Sequence, residues 1–481
     1  MKKAISILFA VAAVAALCFV FSPATSASGP GKKDVTFSKD VAPIFFKNCA
    51  ECHKPNDIAP MSLLTYKEAR PWARSIKEKV ASREMPPWSP DPHYGQFSNE
   101  KRLTDKEVET IVAWVDSGAK EGNPKDMPPT PEFAKGGWSI GKPDAVLEMG
   151  EEWTIDPNAP DNYINFFIPT NFKEDRWVQA AEILPGNRKV VHHVIAFIQS
   201  PQMMAKRAEA AKAGNGRVGG RAADGKLFYL DGTLRRVKMD APVVDDACAQ
   251  QAAPGGRRIG GGGDENEGAL LAGYAPGLEP AVYPAGVAKK LPAGSTIMFQ
   301  VHYSSFRGAL TKAEKDRTKV GLIFAKEPPD KMAVTFAAAN VMFKIPAGAD
   351  NHEVTACQTV PRDVQVLNYM PHMHLRGKDM KYELIYPDGK RETLLWVPKF
   401  SFNWQAAYVL KNPITIPKGA KLVVTAHYDN SKKNKYNPDA SKDVRWGDPT
   451  YDEMMIGWLD IMVENPAKAA KPDASARSGQ K

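Results

Sequence analysis

The stretch "VQVLNYMPHMHLRG", residues 364–377, carries two histidines, His372 and His374, in an apolar run of a chain that has only nine histidines. Its β-branched and aromatic residues predict a strand that loosens at its end. Alternate strand side chains share a face, so His372 and His374 project together, with Cα atoms about 7 Å apart. Two imidazoles so placed can grip one metal ion. The plainer alternative is a pair of histidines hydrogen-bonded at a sheet edge.

The segments around this stretch read the same way. "NYINFFIPT", "KVVHHVIAFI", "STIMFQVHYSS", "KLVVTAHYD" and "EMMIGWLDIMV" are short apolar runs split by Pro, Gly, Asn and Asp. "YPDGK" is a hairpin turn signal. So many short strands predict two all-β sandwiches of jelly-roll type, at 146–326 and 327–465. Residues 200–268 form a Gly/Ala-rich insertion that is expected to be partly disordered, and 466–481 a disordered tail.

The N-terminal third is different. "MKK", an apolar run and "SPATSASG" read as a signal peptide over 1–27, cleaved after Ala27, which predicts an exported, periplasmic protein. Cys18 falls inside the leader. Membrane contact is expected only through that segment if it is retained. Net charge is +9, but Lys and Arg are scattered and no basic block is interleaved with aromatics, which argues against nucleic acid.

"NCAECH" supplies Cys49, Cys52 and His53, the C-x-x-C-H attachment signature of c-type haem. Two thiols hold the porphyrin covalently and the adjacent histidine lies under the iron. No second Cys pair completes a zinc site. Helical faces flank the motif: Val41, Ile44 and Phe45 with Ser38 as N-cap, then Trp72, Ile76 and Val80 after Pro71. The last runs Val108, Ile111, Val112 and Val115 behind a Thr104–Glu107 capping box, stopped by Gly118. This all-α domain, residues 34–124, resembles cytochrome c. For the sixth iron ligand Met85 ranks first, then Met61, then His93. A Pro/Gly-rich linker follows over 125–145.

Six of the nine histidines occupy strand-like apolar contexts: His192, His193, His302, His372, His374 and His427. Buried histidine needs a partner, and metal serves many at once. Adjacent residues on a regular strand face opposite ways, so His192 and His193 meet one ion only at a bend or through different ring nitrogens. "VHHVIAF", "QVHY", "HMH" with "LRGK", and "DEM", in that order, resemble the copper type II, ascorbate-dependent monooxygenases. That family includes peptidylglycine α-hydroxylating and dopamine β-monooxygenases. The resemblance covers about residues 146–465 and implies two β-sandwiches with one copper each. By it, His192, His193 and His302 hold an electron-donating copper. His372, His374 and Met454 hold an oxygen-activating one, and Met454 rather than Met455 is the thioether ligand. Gln300 matches a glutamine of the family, while His427 and His352 match no ligand and read as satisfied sheet residues.

The pattern also departs from the family. Where peptidylglycine monooxygenase places a substrate-binding arginine, this chain has Met370. The pocket asparagine and tyrosine correspond to Ile456 and Trp458, so the site is apolar. Of the family's disulfides only a Cys248–Cys357 pair is conceivable. The reading is an exported oxidoreductase with one covalent haem c and two coppers. It would hydroxylate a C–H bond of a small organic substrate with O2, fed by a one-electron donor such as ascorbate or a redox protein. The alternative is a non-enzymatic electron-transfer or copper-binding protein on the same scaffold.

Overall fold

The computed structural model describes residues 35–55, 57–133, 137–157, 162–212, 220–221, 227–231, 239–240, 243, 270–303, 310 and 312–469. Residues 1–34, which include the expected leader and Cys18, lie outside them, as do Cys248, the conceivable disulfide with it, and most of the insertion. Cys357 is buried.

The N-terminal domain is a bundle of short helices. A π-helical turn, Phe37–Val41, runs into Ala42–Asn48. Ala73–Ala81 and Asp105–Asp116 pack over it. Phe37, Phe45, Ile111 and Trp114 are fully buried, and the three aromatic residues interlock as tilted and edge-on rings. The Thr104–Glu107 capping box forms in both directions, and Gly118 takes φ +97° just past the helix end. Two expectations fail. Ser38 sits inside the first turn, its hydroxyl donating to the Glu121 carbonyl, while Thr36 is the N-cap. Trp72 is 41% exposed, because Pro71 starts a separate 3-10 turn, Arg70–Trp72, that rotates the indole off the buried face.

The rest is two β-sandwiches that share a sheet. A six-stranded antiparallel layer contains Asn162–Pro169, Thr296–Tyr303 and Val191–Gln199 side by side. A four-stranded layer contains His352–Thr359, Lys421–Tyr428, Gly377–Ile385 and Arg391–Val397. Both pack on one nine-stranded sheet that runs through the two domains. Its seam is a short parallel pairing of Val287–Leu291 with Lys331–Ala339, at Val287–Lys331 and Ala288–Met332. Beyond the seam, Ile456–Glu464 and Val364–His372 continue the sheet.

The seam buries an ion pair. Lys289 and Asp460 are 1% and 5% exposed, with Nζ 3.5 Å from Oδ1. Lys289 Nζ also donates to the Thr335 hydroxyl, which donates to Asp460 Oδ1 at 2.6 Å. Asn368 and Tyr283 donate to the other carboxylate oxygen. Burial pushes the Lys289 ammonium below its usual range, while the carboxylate opposes that shift.

Part of the insertion is regular: helix Pro201–Lys212 and strands Gly220–Arg221 and Leu227–Asp231, the last paired to Asn162–Pro169. The first residues of the expected tail also form a helical turn, Pro466–Ala469, with Lys468 on Asp330. Among the described residues no helix is long and apolar enough to cross a membrane.

Residues between the helices Ala73–Ala81 and Asp105–Asp116 form a strap on the second sandwich. Trp88 and Phe97 join its core against Tyr408. Asp91 N–H donates to the Trp396 carbonyl, Ser98 N–H to the Val409 carbonyl, and Lys411 N–H to the Gln96 carbonyl.

Removing one partner of a buried pair strands the other charge. Lys289→Met is therefore expected to destabilise the sandwiches by about 3–5 kcal/mol, while Lys289→Met with Asp460→Leu regains most of that loss. Urea unfolding of both variants, followed by tryptophan fluorescence, measures it.

Candidate functional site

Three histidines converge in the first sandwich. His302 lies directly opposite His193 across the paired strands, and the next pair is Tyr303 with Val191. His192 is thus an extra residue in a β-bulge. The bulge turns His192 toward the side that His193 occupies, which a regular strand forbids. His192 Nδ1 is 3.1 Å from His193 Nδ1 and 3.2 Å from His302 Nδ1. One ring nitrogen from each of the three lies within 4.8 Å of the others. All three are buried, and Tyr163 stacks flat on His302 with centroids 4.3 Å apart. Burial, then the neighbouring histidines, pushes His193 well below its usual range, so its imidazole stays neutral. Three imidazoles whose ring nitrogens converge this closely suit a transition-metal ion.

The second pair sits on the facing sheet. His372 pairs with Ile456 and Met370 with Trp458. The pairing ends there, two residues short of His374 and of Met454. Met373 and Met455 are both fully buried in the sandwich core. Alternation within the paired strands sets His372, Met370, Ile456 and Trp458 on the other face. His372 Nδ1 lies 2.6 Å from Gln405 Oε1, and His374 Nδ1 lies 3.2 Å from the Asp452 carbonyl oxygen. With both Nδ1 atoms donating, both Nε2 atoms are acceptors. Burial keeps both rings neutral, His374 more strongly. The rings stand 5.4 Å apart and perpendicular.

Several residues here were not foreseen. Glu453 is fully buried, and its carboxylate accepts the backbone N–H of His374 at 2.8 Å, Arg376 at 2.6 Å and Met454 at 3.2 Å. Burial raises its pKa to about 7 against those hydrogen bonds. It ties "HMHLR" to "DEM". Arg376, also buried, donates to Asn430 and to the Tyr451 carbonyl. Both residues stand inside the motif stretches, as charges among apolar residues, which was the available signal. Gln405 and Phe402 carried none. Phe402 stacks on His192 at 4.8 Å and meets His374 edge-on at 6.0 Å, so one ring touches both clusters.

In the helical domain, Cys49 and Cys52 are free thiols and His53 N–H donates to the Cys49 carbonyl. Burial pushes the Cys49 thiol up to about 12. His53 Nδ1 is 3.1 Å from the Met61 carbonyl oxygen, which fixes the ring and leaves Nε2 as the ligating nitrogen. Two free thiols and an oriented imidazole in one turn fit covalent haem. Met61 is tied to the Nδ1 side of that ring and packs on the helical core, while Met85 is 42% exposed. His93 is exposed and held by Asp91. His427 is satisfied by Asp379 and Glu353.

Residues 334–459 match the family model for the copper type II ascorbate-dependent monooxygenase C-terminal domain, and residues 38–119 match that for cytochrome c. The first match spans His372, His374, Gln405, Glu453 and Met454. His192, His193 and His302 lie outside both. No curated protein matches the chain. Among solved structures, the infectious bursal disease virus VP2 subviral particle is 8% identical, over 67% of this chain and 73% of that one, with a TM-score of 0.18. T=1 particles derived from infectious bursal virus give 8% identity, 67% and 70% coverage and 0.18. Scores this low carry no argument.

Gln405 orients the His372 ring, so any metal held by that ring would feel its loss. Gln405→Leu is expected to weaken copper at the second cluster by about 10–100-fold and leave the first unchanged. A chelator-competition titration resolves the two affinities.

Proposed function

We propose, for a chain that joins a cytochrome c domain to a domain of the copper type II ascorbate-dependent monooxygenase family, that it is an exported monooxygenase. It hydroxylates a C–H bond in a small, apolar organic substrate, using O2 and an external one-electron donor, ascorbate or a redox protein. The observation that carries this reading is the pair of histidine clusters on facing surfaces of the two sandwiches. His192, His193 and His302 stand on one side and His372 and His374 on the other, with Phe402 against both.

His372, His374 and Met454 would hold one copper, and His192, His193 and His302 another. Cys49, Cys52 and His53 would hold one covalent haem c, with Met85 as its sixth ligand. Bound there, copper supplies O2 activation and one-electron redox, and haem supplies one-electron carriage. The chain's own residues prepare the second site. Gln405 Oε1 and the Asp452 carbonyl keep the protons of His372 and His374 on Nδ1. The Glu453 carboxylate holds the backbone on both sides of the site. Met370, Ile456 and Trp458 stand in register beside His372 and line that face with apolar surface. They exclude water and offer no cation for a substrate carboxylate, which supports an uncharged substrate. The leader read over 1–27 supports export.

One specific observation favours a non-enzymatic electron carrier: Phe402 lies between the clusters, where a substrate would approach. Oxygen consumption separates the two readings. The monooxygenase shows substrate-stimulated O2 uptake with product gaining one oxygen atom by mass, while the carrier shows reversible redox without it.

Two further outcomes test the ligands. Protein loaded with copper and desalted is expected to hold two ions per chain, and His374→Ala one, by atomic absorption. Met454→Ile keeps bulk and strand propensity, so it is expected to fold and to retain Cu(II) on the two imidazoles. It loses the copper–sulfur contact in X-ray absorption of the reduced protein, together with O2 uptake. Met455→Ile keeps both.

A further inference from the structure

The haem-binding segment does not hang free of the sandwiches. Asp57, four residues past His53, meets Arg188 Nη1 at 2.9 Å, and Arg188 is four residues before His192. Lys101 bridges Glu51, beside Cys52, to Glu279 of the first sandwich, at 3.3 and 3.1 Å. Between these ion pairs lies a cavity whose walls include Cys52 on one side and Gly277 on the other.

Gly277 is where the second sandwich reaches in. Its φ is +83°, and a Cβ there would lie 2.2 Å from Trp404 Cζ2 and 2.3 Å from Cε2. The indole therefore lies directly on the glycine backbone. Trp404 belongs to a tight turn: its N–H donates to the Ser401 carbonyl, and Gln405 Nε2 donates to the Phe402 carbonyl. The same turn carries Phe402, stacked on His192 and edge-on to His374, and Gln405, on His372. Five residues thus touch the haem-side loop and both histidine clusters.

We propose that the turn Ser401–Gln405 couples the haem domain to the copper clusters, with Trp404 as the positioning residue that joins the Cys52 side of the haem domain, through Gly277, to His192. This rests on the haem and copper assignments above. The step moves one electron and makes or breaks no bond. The haem iron goes from Fe(II) to Fe(III), and a Cu(II) held by His192, His193 and His302 becomes Cu(I). The one-electron donor that reduces the haem is the external one already named.

The test uses the full chain carrying haem and Cu(II). A laser flash on added flavin delivers one electron to the haem. The decay of the reduced haem α-band is then followed, with loss of the Cu(II) EPR signal as a second readout. Wild type is expected to reoxidise its haem at a rate independent of protein concentration, as an internal transfer. Trp404→Leu is expected to slow that rate by about tenfold or more, the scale of displacing a positioned group. Trp404→Phe, which keeps a ring against Gly277, recovers most of it. Gly277→Ala, which pushes the indole away while leaving it in the chain, slows the rate as Trp404→Leu does. Haem spectrum and copper content serve as the check on folding. If both slowed variants match wild type with full haem and copper, the route is overturned and the functional reading stands. If wild type itself, fully loaded, shows no internal transfer, the route is likewise overturned, and substrate-stimulated O2 uptake alone decides the functional reading.

Discussion

The arrangement of the molecule hangs on the seam where Val287–Leu291 pairs with Lys331–Ala339. Two backbone pairings alone would be a weak joint between domains. The Lys289–Asp460 pair and its ring of Thr335, Asn368 and Tyr283 make the joint costly to open, because parting it strands a charge in an apolar interior. With the seam closed, the sheet crosses from one sandwich to the other at a fixed angle. The outer face of Val364–His372 then looks back at the bulged strand of the first sandwich. Facing clusters follow from sheet continuity more than from contact between histidines. Asn368 and Asp460 stand on the same strand faces as His372 and Ile456, so seam and site are two stretches of one surface.

How much of this could be read from the residues divides along one physical line. Features set within a few residues were legible. The His-x-His pair, the C-x-x-C-H turn and the Thr104–Glu107 box depend on local geometry alone, and each folds as its spacing implies. Features set by a distant strand were not. That His192 and His193 serve one site depends on the register of Thr296–Tyr303 more than a hundred residues on, which makes His192 the bulged residue. Gln405 and Phe402 lie in "KFSFNWQAA", whose composition marks only a loop. Their roles come from where the sheet delivers that loop. Trp72 misleads for the converse reason, since its i, i+4 spacing is right but Pro71 breaks the helix that would have used it.

The choice between Met454 and Met455 shows what register adds. Both are methionines in one motif, and no local rule separates them. Register separates the core face from the face of His372 and Ile456; Met455 lies in the core with Met373, and Met454 is half-buried. Glu453 makes the arrangement rigid, since one carboxylate accepts from residues on either side of the site. A Glu at that depth is tolerable because three backbone donors satisfy it.

The strap of Trp88 and Phe97 bears on how the molecule is made. These residues emerge early, and the segment that receives them, Trp396 to Lys411, follows about three hundred residues later. Until that segment is made, the strap of Trp88 and Phe97 has nothing to lie on. Completion of the last sandwich closes that interval. The contact therefore has a direction built into the chain: the helical domain comes first, and the sandwich edge that covers its strap comes last.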